Sequence, residues 1–479
     1  MLSAIVIIPL VISILGLFGR LSRWLPRIAA GLMVVQVPVV LWACDPALHG
    51  SALPVKSGFG VDGVSAIFLI LTTVVSTAAI LQAAFLLPVE RRDMSDRRFC
   101  LFYTLSGLFI LAMYGVLLAR NIGYMWIAME ATTLMSAGLV FFHRSRLSLE
   151  AAWKYLILCS VGIAMALFGT MLIFASSQGH GNPDGTLVIG ELLARAQELD
   201  PRLLRLGFIF CLLGYGTKAG LFPLHNWLPD AHSEAPAPAS AMLSGALLNC
   251  ALVALWRITE VVNAAGQSAL VHRTLVPMAA ITVFAAGLML VRQHDLKRMW
   301  AYSSVEHMGL LALAIGIGSG PVFILHAVNH SLVKVALFLL AGNILHLYGS
   351  KSFDKLGGMI RIAPVWGILL AAGSFAIAGS PPFGTFLSEW LLLRDIFTGG
   401  YFIAGGLVII GLTVTFIAIA SHVGRVLFGD APPIKKNIDF GSWSLVPAVL
   451  LLAALSTGLL LAPSIMPALT GLVARSVVR

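Results

Sequence analysis

Apolar residues in this chain come in long runs of about 20, repeated from one end to the other and separated by short polar loops. A helix of that length crosses about 30 Å of hydrocarbon. Short segments of alternating polarity, the mark of an outer-membrane barrel, do not occur. The pattern predicts an all-α polytopic membrane protein with about 14 transmembrane helices. The spans are expected at about 2–19, 28–44, 62–88, 99–118, 121–142, 150–176, 203–231, 236–262, 272–291, 299–318, 320–348, 362–398, 401–424 and 443–465. The seventh and twelfth are long and broken by Gly and Pro, at Gly220–Pro223 and Gly379–Gly384. The longest polar stretch, about Ser176 to Arg205, reads as a loop with a short helical segment near Gly190–Glu198, so no separable soluble domain is expected.

Composition agrees: 59% of residues are hydrophobic and 11% charged, with mean hydropathy +0.94. Soluble domains carry about 25% charged residues. A net charge of +10 would suggest nucleic acid in a soluble protein. Here 18 of the 31 Lys and Arg residues fall in alternate loops, from Arg20–Arg27 to Lys435–Lys436, and 8 in the others. The positive-inside rule places the richer set in the cytoplasm of a bacterial inner membrane and both termini outside. Cys44, Cys100, Cys159, Cys211 and Cys250 stand singly, with no C-x-x-C, so iron–sulfur, zinc and disulfide frameworks are not expected. The first apolar run has no basic segment before it and reads as a span, not a cleaved signal peptide.

A Lys or Asp at a helix centre costs about 2.5–3.5 kcal/mol, so ionisable residues within spans need a reason. Glu130 is central in span five, Lys218 precedes the break of span seven, Lys334 is central in span eleven, and Glu389 follows the break of span twelve. Structural ion pairs or snorkelling are the alternatives; snorkelling suits Lys154 and Arg394 near span ends but not Lys218 or Lys334. His326, His330 and Lys334 are spaced i, i+4, i+8, one face of a helix with about 6 Å between neighbours. Titratable groups at that spacing, bridged by water, suit a proton wire. A metal or haem site and ordinary core histidines remain alternatives, although the third member being Lys repels a cation. His307 and His422 are equally compatible with helix–helix hydrogen bonding. The breaks at Gly220 and Pro223, and at Pro381, Pro382 and Gly384, free backbone groups that only protein or a wet cavity can satisfy. His225, Asp230, His232 and Glu234 gather at the cytoplasmic end of span seven, as a proton entrance, a metal site or a solvated edge.

At GYGTKAGLFPLHNWLPDAHSEAPAPAS, DLKRMWAYSSVEHMG and LHAVNHSLVKVALFLLAGNI the chain resembles the antiporter-like membrane subunits of respiratory complex I, of membrane-bound hydrogenases and of Mrp-type antiporters. Within that family it is most similar to hydrogenase-4 component F. The resemblance implies two inverted five-helix repeats, spans four to eight and nine to thirteen. The divisions are 1–98, 99–262, 263–430 and a C-terminal helix at 431–479. It further implies that Glu130 pairs with Lys218 as a coupling switch, that Lys334 with His326 and His330 forms the central relay, and that Glu389 lies at the outlet. Some relatives carry Lys in span eight where Asn249 stands, and the long lateral helix of the largest members is not expected. The implied function is proton translocation within a redox-driven complex such as a hydrogenase. The NiFe centre and iron–sulfur clusters would belong to other membrane subunits and a peripheral arm, with no cofactor, metal or nucleic acid on this chain. The rivals are a Na⁺/H⁺ antiporter subunit, a non-pumping structural or quinone-site subunit, and coupling to inorganic-carbon uptake.

Overall fold

The computed structural model describes residues 2–18, 22–50, 53–56, 58–90, 94–178, 184–432, 440–459 and 462–477. The chain folds as a helical bundle. Among the described residues, nine helices are long and apolar enough to cross a membrane. These are α2 (Leu25–Leu48), α3 (Gly63–Glu90), α4 (Asp96–Leu118), α5 (Ile122–Val140), α6 (Arg146–Ser176), the α10–α11 unit (Ala237–Met242 and Leu248–Ala264), α12 (Ser268–Val291), α14 (Gly320–Tyr348) and α18 (Phe402–Phe428). α1 (Leu2–Leu17), α16 (Pro364–Ile377) and the Leu445–Thr457 stretch of α19 (Phe440–Leu459) are shorter apolar segments, and α13 (Leu296–Gly316) is a further helix of the bundle. The remaining helices are α7 (Ile189–Ala194), α8 (Pro201–Ala219), α9 (Trp227–Glu234), α15 (Met359–Ile362), α17 (Gly384–Thr398) and α20 (Ala462–Val477).

Both expected breaks occur where glycine permits them. α8 ends at Gly220 with φ +77°, and the chain resumes as α9 at Trp227. α16 gives way at Gly379, φ +64°, to α17 starting at Gly384. The expected loop helix is present as α7 and a 3₁₀ turn at Ala196–Glu198. The fourteenth expected span differs. Its helix α19 stops at Leu459, and the residues assigned to its end belong to a separate helix, α20. Residues 460 and 461 lie outside the described residues.

Side chains begin the helices at the water boundary. Asn121, Ser145, Asp200 and Asp295 accept hydrogen bonds from backbone N–H groups of the first turns of α5, α6, α8 and α13. The N–H groups of Leu203 and Arg202 hold the Asp200 carboxyl below its usual range. Small residues then let helices approach closely. On α6, Gly162 and Gly169 lie against Gly214 and Gly207 of α8, backbone against side-chain-free backbone. The most enclosed helices are the α10–α11 unit and α14. These two carry Asn249 and the His326–Lys334 face.

The loops sort onto two ends. α14 runs from Gly320, beside Trp256 of α11 and Val473 of α20, to Tyr348, next to Lys351. Lys351 belongs to a charged bowl of about 630 Å³ that also holds Lys154, Asp230, Glu234, Asp295 and Arg298. At the opposite end a buried cluster links Asp62, Arg120, Arg257 and Glu260.

Candidate functional site

In the first half, Lys218 ends α8 fully buried. Its Nζ donates to Thr133 Oγ1 at 2.9 Å and Tyr155 Oη at 2.7 Å, and lies 4.8 Å from the Tyr155 ring centre. Tyr155 Oη continues to Ser136 Oγ at 2.6 Å. Glu130 is one turn from Thr133 on α5, but its Oε1 accepts from Ser160 Oγ at 3.0 Å and Oε2 is buried without a protein partner. The expected Glu130–Lys218 pair is therefore not in direct contact in this structure: a turn of α5 and the Thr133 hydroxyl separate the two. Tyr155, absent from the sequence candidates, joins Lys218 to Ser136. Tyr155→Phe is expected to leave Lys218 bonded to Thr133 while breaking the link to Ser136, slowing proton transfer several-fold, about 1 kcal/mol of lost hydrogen bonding. Translocation rates of the assembled variant check this.

At the end of the first half, α10 and α11 are joined by a π-turn at Leu243–Leu247, an irregularity that often marks a working site. Ser244 Oγ there meets Ser304 Oγ of α13 at 2.8 Å, and Ser304 donates to the Trp300 carbonyl at 3.0 Å. Lys334 Nζ donates to that same carbonyl at 2.8 Å. Asn249 donates to Ser331 Oγ of α14 at 2.7 Å, and its Oδ1 is buried without a protein partner. An amide cannot accept and release a proton at ordinary pH, but it orders its neighbours.

In the second half, His326, His330 and Lys334 share the buried face that their spacing predicts. His307 of α13, a marginal candidate in the sequence, stands at the centre. Its Nδ1 lies 2.9 Å from His326 Nε2, its Nε2 is 3.0 Å from the Ile377 carbonyl at the end of α16, and its ring is 5.2 Å from that of His330. His326 Nδ1 meets Ser388 Oγ of α17 at 2.8 Å. Glu389 is the next residue, and its Oε1 is buried without a protein partner. Lone His residues on facing helices look alike in sequence; only the packing of α13 on α14 distinguishes His307. His422 lies elsewhere, stacked at 4.8 Å on Phe353.

The sequence argued against a metal because the third member of the α14 face is Lys. Other helices supply what α14 lacks: ligand atoms of His307, His326 and Glu389 lie within 4.8 Å of one another. Two imidazoles and a carboxylate suit zinc chemically. However, the facing nitrogens of His307 and His326 are hydrogen-bonded to each other, which is the geometry of proton exchange.

The break before α17 sets the Glu389 carboxylate. A side chain at Gly379 would overlap Glu389 Oε2, and φ there is +64°. Gly379→Ala is expected to displace that carboxylate from His326 and to cost about 1 kcal/mol in backbone strain. A lowered unfolding midpoint together with reduced translocation checks this.

The cluster of His225, Asp230, His232 and Glu234 divides. Asp230 pairs with Lys154 at 3.1 Å and Arg298 at 3.2 Å, and Glu234 with Lys351 at 2.7 Å, all lining the bowl. His232 and His225 turn inward. His232 stacks on Phe338 of α14 at 5.1 Å, and His225 Nε2 is 3.3 Å from the Met289 sulfur. Lys154 reaches the surface and also meets Glu150 at 2.6 Å, as snorkelling requires.

This broken-helix bundle, with buried Lys, His and Glu along its middle, defines an antiporter-like membrane protein. The chain belongs to the NADH:quinone oxidoreductase/Mrp antiporter transmembrane family, which matches residues 119–418. It is 37% identical over 427 residues to the hydrogenase-4 component F homolog of Methylacidiphilum infernorum (isolate V4), covering 87% of this chain and 88% of that protein. It is 30% identical over 455 residues to a Na(+)/H(+) antiporter subunit of Alkalihalophilus pseudofirmus, covering 88% of this chain but only 54%, about half, of that longer protein. The fold is shared with a chain of the membrane-bound sulfane sulfur reductase, an archaeal respiratory membrane complex, at TM-score 0.87 and 23% identity over 100% of this chain and 97% of that one. It is also shared with a chain of the Mrp complex from Dietzia sp. DQ12-45-1b, at TM-score 0.85 and 19% identity over 99% and 97% of the two chains.

Proposed function

We propose that this chain carries protons across the bacterial inner membrane as one subunit of a redox-driven complex, of the membrane-bound hydrogenase kind. The observation that carries the reading is the buried series in which the His330 ring lies 5.2 Å from that of His307, His307 is hydrogen-bonded to His326 and His326 to Ser388, with a Glu389 carboxylate oxygen within 4.8 Å of ring nitrogens of His307 and His326 and Lys334 one turn from His330. Between His307 and His326 a proton can pass directly from nitrogen to nitrogen, whereas His330, whose ring nitrogens meet no protein group, and Glu389 need a bridging water to join the series. In the first half, Lys218 is held by Thr133 and Tyr155 within a helical turn of Glu130. A small shift would close the Glu130–Lys218 pair, raising the cost of a proton leaving Lys218; opening it would release that proton. Moving one charge against 100 mV costs about 2.3 kcal/mol, which partner subunits bearing a NiFe centre and iron–sulfur clusters would supply.

In this reading the two halves are inverted five-helix repeats, 99–262 and 263–430, within a 14-span topology, and the charged bowl faces the cytoplasm with both termini outside. The Asn249 region passes protons through ordered water, using its free Oδ1. Sodium–proton antiport is the second reading, favoured by the 30% identity to the Alkalihalophilus antiporter protein.

Gentle purification from native membranes separates the readings. Recovery with a nickel-containing large subunit, iron–sulfur proteins and hydrogen-dependent dye reduction supports the hydrogenase complex. Recovery with small antiporter subunits alone, and sodium-dependent exchange, transfers the assignment to the antiporter.

A further inference from the structure

Among the buried acids that the relay described above does not use, Glu306 lies next to it. Glu306 of α13 precedes His307 and is 1% exposed; the Thr415 hydroxyl of α18 faces its carboxylate, but neither carboxylate oxygen is in hydrogen-bonding geometry with a protein group. A carboxylate without a partner in an apolar bundle is costly, and such groups persist where they meet water or exchange protons.

The surroundings are chemically specific. Glu306 shares α13 with Trp300, whose carbonyl accepts from Lys334, and with His307, which is bonded to His326. Lys334 and Glu389 both lie within electrostatic reach of its carboxylate. Other buried polar atoms without protein partners occur on the same four helices: Ser303 Oγ and Trp300 Nε1 on α13, both ring nitrogens of His330 on α14, Glu389 Oε1 on α17 and Thr415 Oγ1 on α18. Unpartnered donors and acceptors on packed helices are the groups a buried water would bond.

We propose that Glu306 is a proton-exchanging group of the second half, forming with Lys334 an acid–base pair that corresponds to Glu130 and Lys218 in the first. The step is a single transfer: protonated Lys334 and ionised Glu306 become neutral amine and neutral carboxylic acid, through a bridging water, with no change in total charge. The neutral pair is stable in a low-dielectric interior, and the starting state returns when Glu306 has given up its proton and the neutral Lys334 amine takes up the next one. Glu306 then hands its proton toward His307 or Glu389. The inference rests on the proton-translocation reading.

The test uses the whole complex reconstituted in vesicles, with Glu306→Gln, Glu306→Asp and Lys334→Ala. Glu306→Gln, which keeps the shape and cannot ionise, is expected to lower translocation at least about tenfold, and Glu306→Asp to restore part of it. The infrared carboxylic C=O band of a buried protonated acid, shifted by deuterium exchange, should be lost in Glu306→Gln. If Glu306→Gln fails to assemble, a displaced band in Glu306→Asp gives the same assignment, and an unmoved band overturns it. Loss of pumping in Lys334→Ala with full pumping and an unchanged band in Glu306→Gln overturns this inference alone. Full pumping in Lys334→Ala removes Lys334 from the relay and overturns the acid–base pair, whereas absence of pumping by the wild-type complex overturns the translocation reading itself.

Discussion

Lys334→Ala and Lys218→Ala are each expected to reduce proton translocation by the assembled complex at least about tenfold, the size of effect seen when a positioned proton-transfer group is removed. Both ammonium groups are fully buried, and each is held by two or fewer hydrogen bonds, Lys218 by Thr133 and Tyr155 and Lys334 by the Trp300 carbonyl. Such sparse solvation leaves the neutral amine within reach, which is what a carrier requires. Arginine separates carrying a charge from carrying a proton. Lys334→Arg and Lys218→Arg keep the positive charge but cannot release it, so both are expected to assemble and both to fail at translocation. The measurement is acidification of vesicles containing the reconstituted complex, normalised to the amount of assembled chain. Wild-type translocation by Lys334→Arg would show that the residue acts as a fixed charge, and the relay would have to run without it.

The bundle, the two breaks and the buried ionisable residues were legible in the sequence because each follows from a one-dimensional rule. Twenty apolar residues make a span, Gly and Pro break it, and a charge at its centre stands out. The α14 face was legible for the same reason, since helical periodicity is a property of one segment. What needed packing was hidden. His307 became central only when α13 met α14, and Tyr155 and Ser388 looked like ordinary core residues until their hydroxyls were seen to reach Lys218 and His326. Glu306 meets the criterion that selects Glu130, a carboxylate within an apolar run, and yet is absent from the sequence candidates. Its significance lies in having no protein partner, which no spacing reveals. The Asp62 cluster was invisible for a different reason: Asp62 and Arg120 stand just before α3 and α5, where polar residues are expected, and only packing brings Arg257 and Glu260 of α11 to them.

That cluster carries the largest expected effect on stability. Asp62 precedes α3 and is buried, accepting from Arg257 Nη2 at 2.6 and 2.7 Å, from Arg120 Nη1 at 2.5 Å and from the Ser65 N–H at 2.8 Å. Burial alone would raise its carboxyl, but Arg257 and Arg120, with the Ser65 bond, hold it well below the usual carboxylate range. The sign follows: the carboxyl is lowered in the folded state, so its stabilisation is fully present above the unfolded value near pH 4 and is lost as pH falls toward the folded value. Asp62→Asn removes the charge at every pH and leaves two buried guanidiniums sharing one acid, Glu260, which reaches only Arg257 at 3.3 Å. Breaking such a pair costs about 3–5 kcal/mol, because the surviving cations remain buried. The unfolding midpoint in detergent is expected to fall by several degrees or more, and its acid dependence to flatten. Because the cluster joins three helix ends and no titratable relay residue, the fraction of Asp62→Asn that assembles should translocate protons normally. Normal stability with lost translocation would instead make Asp62, with the unpartnered Glu260 Oε1 beside it, part of the proton's way out.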